Sequence, residues 1–91
     1  MAKQGKKDLK EVDRIRMAQF RQNLKDIRKS KGWTQHILST HCDVHRSKIS
    51  ALEANENENL TLPTLFELAR GLNVHPKQLI DYDFDFIKNI T

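Results

Sequence analysis

The stretch WTQHILSTHCDVHRSKISALE, residues 33–53, decides how the whole chain is read. It predicts two short helices joined by a tight turn. Thr34 offers a hydroxyl to cap the first helix, which carries Ile37, Leu38 and His41 and stops at Cys42 and Asp43. Small Ser39 permits the two helices to approach closely. Asp43 stands where the chain turns sharply and is expected to tolerate left-handed dihedrals. Val44 is expected to plug the turn into the core. The second helix begins about His45 and points Ile49 and Leu52 inward, with Asn55 expected as a left-handed terminator. Arg46, Ser47, Lys48, Ser50 and Ala51 are left without core duties.

Working outward, helical spacing dominates and strand-like alternation is rare, so an all-α fold of five helices is expected. The first helix is predicted over residues 13–31, with Phe20, Leu24, Ile27 and Arg28 on one face; Leu9, Val12 and Arg16 can extend that face upstream. Gly32 ends it behind a basic last turn. Residues 55–59, NENEN, have no apolar face and read as a surface loop. Thr61 caps a fourth helix with Leu62, Leu65, Phe66, Leu68 and Ala69 inside and Pro63 in its first turn, closed by Gly71 and Asn73. Pro76 opens a short fifth helix holding Leu79 and Ile80. The segment YDFDFI, residues 82–87, alternates aromatic and acidic residues, which suits an edge strand or a docking segment. The organisation is therefore a basic arm over residues 1–12, one domain over 13–81 and a tail over 82–91.

The 91 residues fit one domain. Charge is unevenly spread: residues 1–31 hold eleven Lys or Arg against four Asp or Glu, whereas residues 54–91 hold three against six. That asymmetry points to a polyanion on one side, or else to a solvated basic tail. No apolar run approaches the ~20 residues needed to cross a bilayer, and the amino terminus lacks a secretory h-region, so a cytoplasmic protein is expected. One cysteine, Cys42, leaves no internal disulfide and suits a reducing compartment.

Gly32, Thr34, Gln35 and Leu38, followed by Val44, Ile49 and Glu53 and then by Leu62, Leu65, Leu68 and Ala69, carry a resemblance. From Phe20 to Ile80 the chain resembles the Cro/lambda-repressor-like (XRE-type) helix-turn-helix family. The resemblance implies a five-helix DNA-binding domain and a transcriptional regulator, a repressor, acting as a homodimer. It implies that Arg46, Ser47, Lys48 and Ala51 face base edges, with His45 nearby. The chemistry agrees: the exposed first turn of a helix reaches base edges in a major groove, and Arg46 can donate two hydrogen bonds to guanine. Ala51 suits a thymine methyl, and Lys48 suits a guanine or a phosphate. Two departures stand out. Asp43 replaces the usual turn glycine, at about 1 kcal/mol of strain, and His45 replaces the usual Ser or Thr cap, weakening it by about 1 kcal/mol.

Phosphate contacts are expected from Thr34 and Gln35 at a helix start, from Ser50, from Asn59 and Thr61, and from Lys7 in the basic arm. The plainer role for Thr34, Gln35 and Thr61 is capping or bracing, and for Lys3, Lys6, Lys7 and Lys10 a solubilising tail. In the family pattern Arg28 and Glu53 form a partly buried ion pair rather than a DNA-facing one. His36, His41, Cys42 and His45 suggest a metal, but positions 36 and 41 diverge by about 140° around a helix, so neither metal nor cofactor is expected. No nucleophile is paired with a base and an oxyanion donor, so an enzyme is not expected. Trp33 and Phe66 are expected in the core. A different class of function is a protein-interaction module of antitoxin type, its tail adding as a strand to a partner. The dimer contact is expected on the fifth helix and the tail.

Overall fold

The computed structural model describes residues 8–87, which form five helices in the order α1 (Glu11–Ser30), α2 (Gln35–His41), α3 (Arg46–Ala54), α4 (Leu62–Leu72) and α5 (Lys77–Ile80). The all-α architecture matches the sequence reading. One apolar core joins all five: Phe20 and Leu24 from α1, Leu38 from α2, Ile49 and Leu52 from α3, Leu65, Leu68 and Leu72 from α4, and Leu79 from α5. Val44 closes it under the turn.

α1 starts two residues earlier than the spacing suggested. Glu11 and Asp13 in its first turn favour that start against the positive helix end. It ends as its composition dictates. Gly32 takes φ +73, its N–H bonds to the Lys29 carbonyl and that of Trp33 to the Arg28 carbonyl, two bonds that satisfy otherwise orphaned carbonyls. α4 ends in the same way on Asn73, whose φ of 60 is the positive one among the described non-glycine residues.

That last observation corrects two expectations. Asp43 and Asn55 are not left-handed: Asn55 is extended at φ −98, and the turn at Asp43 carries no positive-φ strain. Asp43 is instead fixed from outside, its amide donating to Glu67 Oε1 at 2.8 Å. Gly71 does not terminate α4. It lies within the helix, buried, where a Cβ would stand 2.7 Å from the Cys42 Cβ and 3.1 Å from the His41 carbonyl oxygen. Its role is close approach of α4 to the end of α2.

Two further expectations fail on α4. Leu62 is 64% and Phe66 52% exposed, because Leu65, Leu68, Ala69 and Leu72 already occupy the inward stripe. Phe66 projects about 100° from Leu65 around the helix, off that stripe. Ile80 is also partly exposed. Trp33 packs half-buried against the core, its ring stacked on His41 at 4.2 Å between centroids.

The tail is not a strand. Residues 82–87 fold back across α1: Tyr82 donates its hydroxyl proton to the Arg16 carbonyl, and Arg16 makes a two-pronged bond to Asp85 at 2.8 and 3.0 Å. Tyr82 packs tilted against Phe84, Phe84 stacks on Phe86, and the Arg16 guanidinium lies over Phe86. The alternating pattern therefore serves a side-chain ladder against a helix, with no strand pairing among the described residues.

Candidate nucleic-acid interface

α3 is presented by the turn, and the turn is built from three sides. Thr34 caps α2, its Oγ1 accepting from the Ile37 amide at 3.1 Å. His45 caps α3: Nδ1 accepts from the Ser47 amide at 3.2 Å and lies 3.0 Å from the Ser47 hydroxyl. The imidazole thus occupies the capping role of a Ser or Thr. Glu67 of α4 holds the turn from below through the Asp43 amide and is itself gripped by Arg70 at 2.7 and 3.0 Å. The Arg70 bonds, and then the Asp43 amide, hold the Glu67 carboxyl down at about 2 from an ordinary 4.5.

A folded-state value below the unfolded one means that Glu67 favours the folded turn above about pH 4.5, and that this support fades as pH falls toward 2. In an NMR acid titration the Asp43 amide shift is expected to move with a midpoint near 2. Glu67→Gln should abolish that inflection, and a midpoint near 4.5 would show the contact absent in solution.

Behind α3 sits the brace. Arg28 donates from Nε and Nη2 to the two Glu53 oxygens at 2.7 and 2.8 Å, and from Nη1 to the Trp33 carbonyl at 2.7 Å. Gln35 Nε2 adds a bond to Glu53 Oε1 at 3.0 Å. Arg28 and Glu53 are 7% and 6% exposed. Burial alone pushes the Glu53 carboxyl up, but the hydrogen bonds from Arg28 and Gln35 outweigh it and leave the group below its ordinary range. Gln35, expected at phosphate, therefore spends its amide on the brace.

The outer face follows from helix geometry. With Ile49, Leu52 and Glu53 inward, Ser47 and Ala51 fall on the opposite side at about 100° per residue. His45, Arg46 and Ser47 are exposed, Ser50 and Ala51 half-exposed. Arg46 has no hydrogen-bond or ion-pair partner among the described residues. Lys48 lies on the far edge from Arg46, and its Nζ donates to Glu58 Oε2 and to the Asn59 carbonyl, the latter at 3.0 Å. Asn59 is exposed and its side chain accepts from the Leu60 amide. Thr61 Oγ1 caps α4 by accepting from the Thr64 amide. Lys7 lies outside the described residues.

A family model described as helix-turn-helix matches residues 24–79, the span from mid-α1 to α5. The chain belongs to the Cro/lambda-repressor-like (XRE-type) helix-turn-helix family. As a member of that family it is a DNA-binding transcriptional regulator. Among curated proteins it is similar to control protein C.BamHI of Bacillus amyloliquefaciens, 36% identical over 64 residues that cover 69% of this chain and 78% of that protein. No solved structure matches it significantly. No helix among the described residues is long and apolar enough to cross a membrane.

The helix-turn-helix signature brings together Gln35 on α2 and Arg46, Ser47, Lys48, Ser50 and Ala51 on α3, with Thr34 and His45 as the caps of the two helices. His41 and Cys42 are spent within α2 and its neighbours: Nδ1 of His41 lies 3.0 Å from the Ile37 carbonyl, and the Cys42 thiol donates to Leu38. No group of three His, Cys, Asp or Glu among the described residues is placed to hold a metal ion. Sequence reasoning missed Glu58 and Glu67. Glu67 sits on a helix face with a basic residue three positions on, which signals a local pair but not its reach to Asp43. Glu58 has no signal within NENEN.

Proposed function

We propose that this regulator binds a specific duplex sequence as a homodimer and represses transcription in the cytoplasm by occupying an operator in competition with polymerase. The observation that carries the reading is the start of α3, where Arg46 and Ser47 stand exposed on a turn fixed by Glu67 and a helix fixed by Arg28 and Glu53. Such a rigid, outward helix start fits a major groove, with Arg46 able to grip guanine. His45, Ser47 and Ala51 complete the base-facing surface. Thr34, Ser50, Asn59 and Thr61, with Lys7 of the basic arm, take the phosphates. The relative's name, a control protein, supports the regulatory role.

Selection of binding sites from random duplexes tests the reading. A defined two-fold site should emerge, with half-sites ~34 Å apart. Arg46→Ala should then lose about 5- to 150-fold in affinity and relax preference at one base pair. No selected sequence, or an Arg46→Ala protein with unaltered preference, would overturn it. A template carrying the selected site should be transcribed less when the protein is present; stimulation would reverse the sign assigned here.

For the dimer contact we propose α5 and the tail, supported by the exposed Ile80, Phe86 and Ile87. Deleting residues 82–91 should lower the sedimentation coefficient and the affinity for the two-fold site together. Unchanged sedimentation would place the contact elsewhere.

A further inference from the structure

A buried carboxylate beside a DNA-facing helix needs a reason, since it adds negative charge next to a polyanion. Glu58 is 6% exposed and reaches Lys48 across ten residues of sequence. The loop is shaped to place it: the Asn57 amide donates to Asn55 Oδ1 at 2.9 Å, and the Glu58 amide donates to the Asn55 carbonyl at 3.0 Å. Lys48 donates one N–H to Glu58 and another to the Asn59 carbonyl, leaving one of its three donors for anything else. Its long stem is thereby pinned along the loop side of α3, on the flank away from Arg46.

We infer that Glu58 is a positioning residue for DNA recognition, neutralising Lys48 and withholding it from phosphate so that sequence-independent attraction at the flank of α3 is held down. The inference rests on the DNA-binding reading above and goes beyond it. A free lysine at that flank neutralises a phosphate, releases counterions and tightens binding to every sequence alike. A lysine tied to a buried carboxylate contributes no net charge, and its remaining donor has a fixed direction. Discrimination is the ratio of specific to random affinity, so a term common to both leaves that ratio unchanged and sets only the absolute affinities and their salt dependence.

The test measures the salt dependence of binding to the selected duplex and to a random-sequence duplex, with the full chain. Glu58→Gln should steepen the slope of log affinity against log salt by about one unit for both duplexes, raising the two affinities together at low salt and leaving their ratio unchanged. The double variant Glu58→Gln/Lys48→Gln should return to the wild-type slope, because removing a neutral pair removes no net charge. If the double variant instead keeps the steep slope, Glu58 acts by its own charge and Lys48 is irrelevant, which overturns the inference. If the double variant falls about one unit below wild type, Lys48 contacts phosphate in the native protein, which also overturns it. That second comparison stands even if Glu58→Gln alone does not fold. Wild-type protein that binds no duplex at all would sink the DNA-binding reading itself, a result distinct from binding with unaltered slopes.

Discussion

Replacing Arg28 with Met is expected to destabilise the protein by about 3–5 kcal/mol, read as a lower urea midpoint at constant m-value. The side-chain volume is kept, so lost packing is not the cause. What changes is that Glu53 remains buried with one hydrogen bond, from Gln35, in place of three, and the Trp33 carbonyl loses its donor. A buried carboxylate left without its cation is among the more costly defects in a small domain. Two controls sharpen the result. Gln35→Ala removes one neutral donor and should cost only about 1 kcal/mol. Arg28→Met combined with Glu53→Leu removes both charges and should recover most of the loss. The deficit of Arg28→Met also depends on pH with a definite sign. Glu53 is held below its ordinary value in the folded protein, so the pair's support is full above that ordinary range and declines as acid protonates the carboxylate. The gap between wild type and Arg28→Met should therefore narrow on acidification. A gap of under 1 kcal/mol at neutral pH would mean that the brace is not formed in solution.

Phe20→Ala is expected to match that loss, at about 3–5 kcal/mol, by a different mechanism. Phe20 is fully buried in the face of α1 that also carries Leu24 and Arg28, and it belongs to the cluster that joins α1 to every other helix. Truncation forfeits the transfer energy of a ring and leaves a void that rigid helices fill poorly. Since single domains rest on about 5–15 kcal/mol in total, the substitution should remove a large part of the stability and lower Tm by upwards of roughly 12 °C. Phe66→Ala is the internal control. Its ring is half-exposed, so the same chemical change there should stay within about 0.5 kcal/mol. Equal effects at the two positions would contradict the packing described.

That contrast shows where sequence reading succeeds and where it stops. Helix periodicity placed Phe20, Leu24, Ile49 and Leu52 inward because each lies on an unambiguous stripe. It failed at Leu62 and Phe66 because α4 carries more apolar residues than one stripe can bury, and composition alone does not choose among them. Gly32 and Asn73 were legible as terminators, since few residues accept positive φ. Asp43 and Asn55 were misassigned on the same rule: a residue that tolerates a left-handed conformation need not adopt one when its amide finds a partner otherwise, Asp43 from the distant Glu67 and Asn55 from the Ala51 carbonyl. The exposed start of α3 was legible from its lack of core residues. The partner of Lys48 was not, because the path of a loop without periodicity fixes which of its side chains turns inward, and nothing in NENEN distinguishes Glu58 from Glu56. The alternation in residues 82–87 was real, but a period of two describes a ladder of rings along α1 as well as it describes a strand.

The missing side chain at Gly71 has a mechanical consequence. With Cys42 Cβ and the His41 carbonyl where a methyl group would stand, α4 seats on the first side-chain carbon of Cys42 and the main chain of His41 at the end of α2, atoms whose positions the backbone fixes. The tilt of the two-helix unit on the body is thus gauged by backbone bulk, which neither compresses nor changes rotamer. Adding even one carbon at this hidden contact forces α4 and the end of α2 to shift apart. The orientation of α3 on the body can thus be altered from within α4, without changing any side chain on the exposed face of α3.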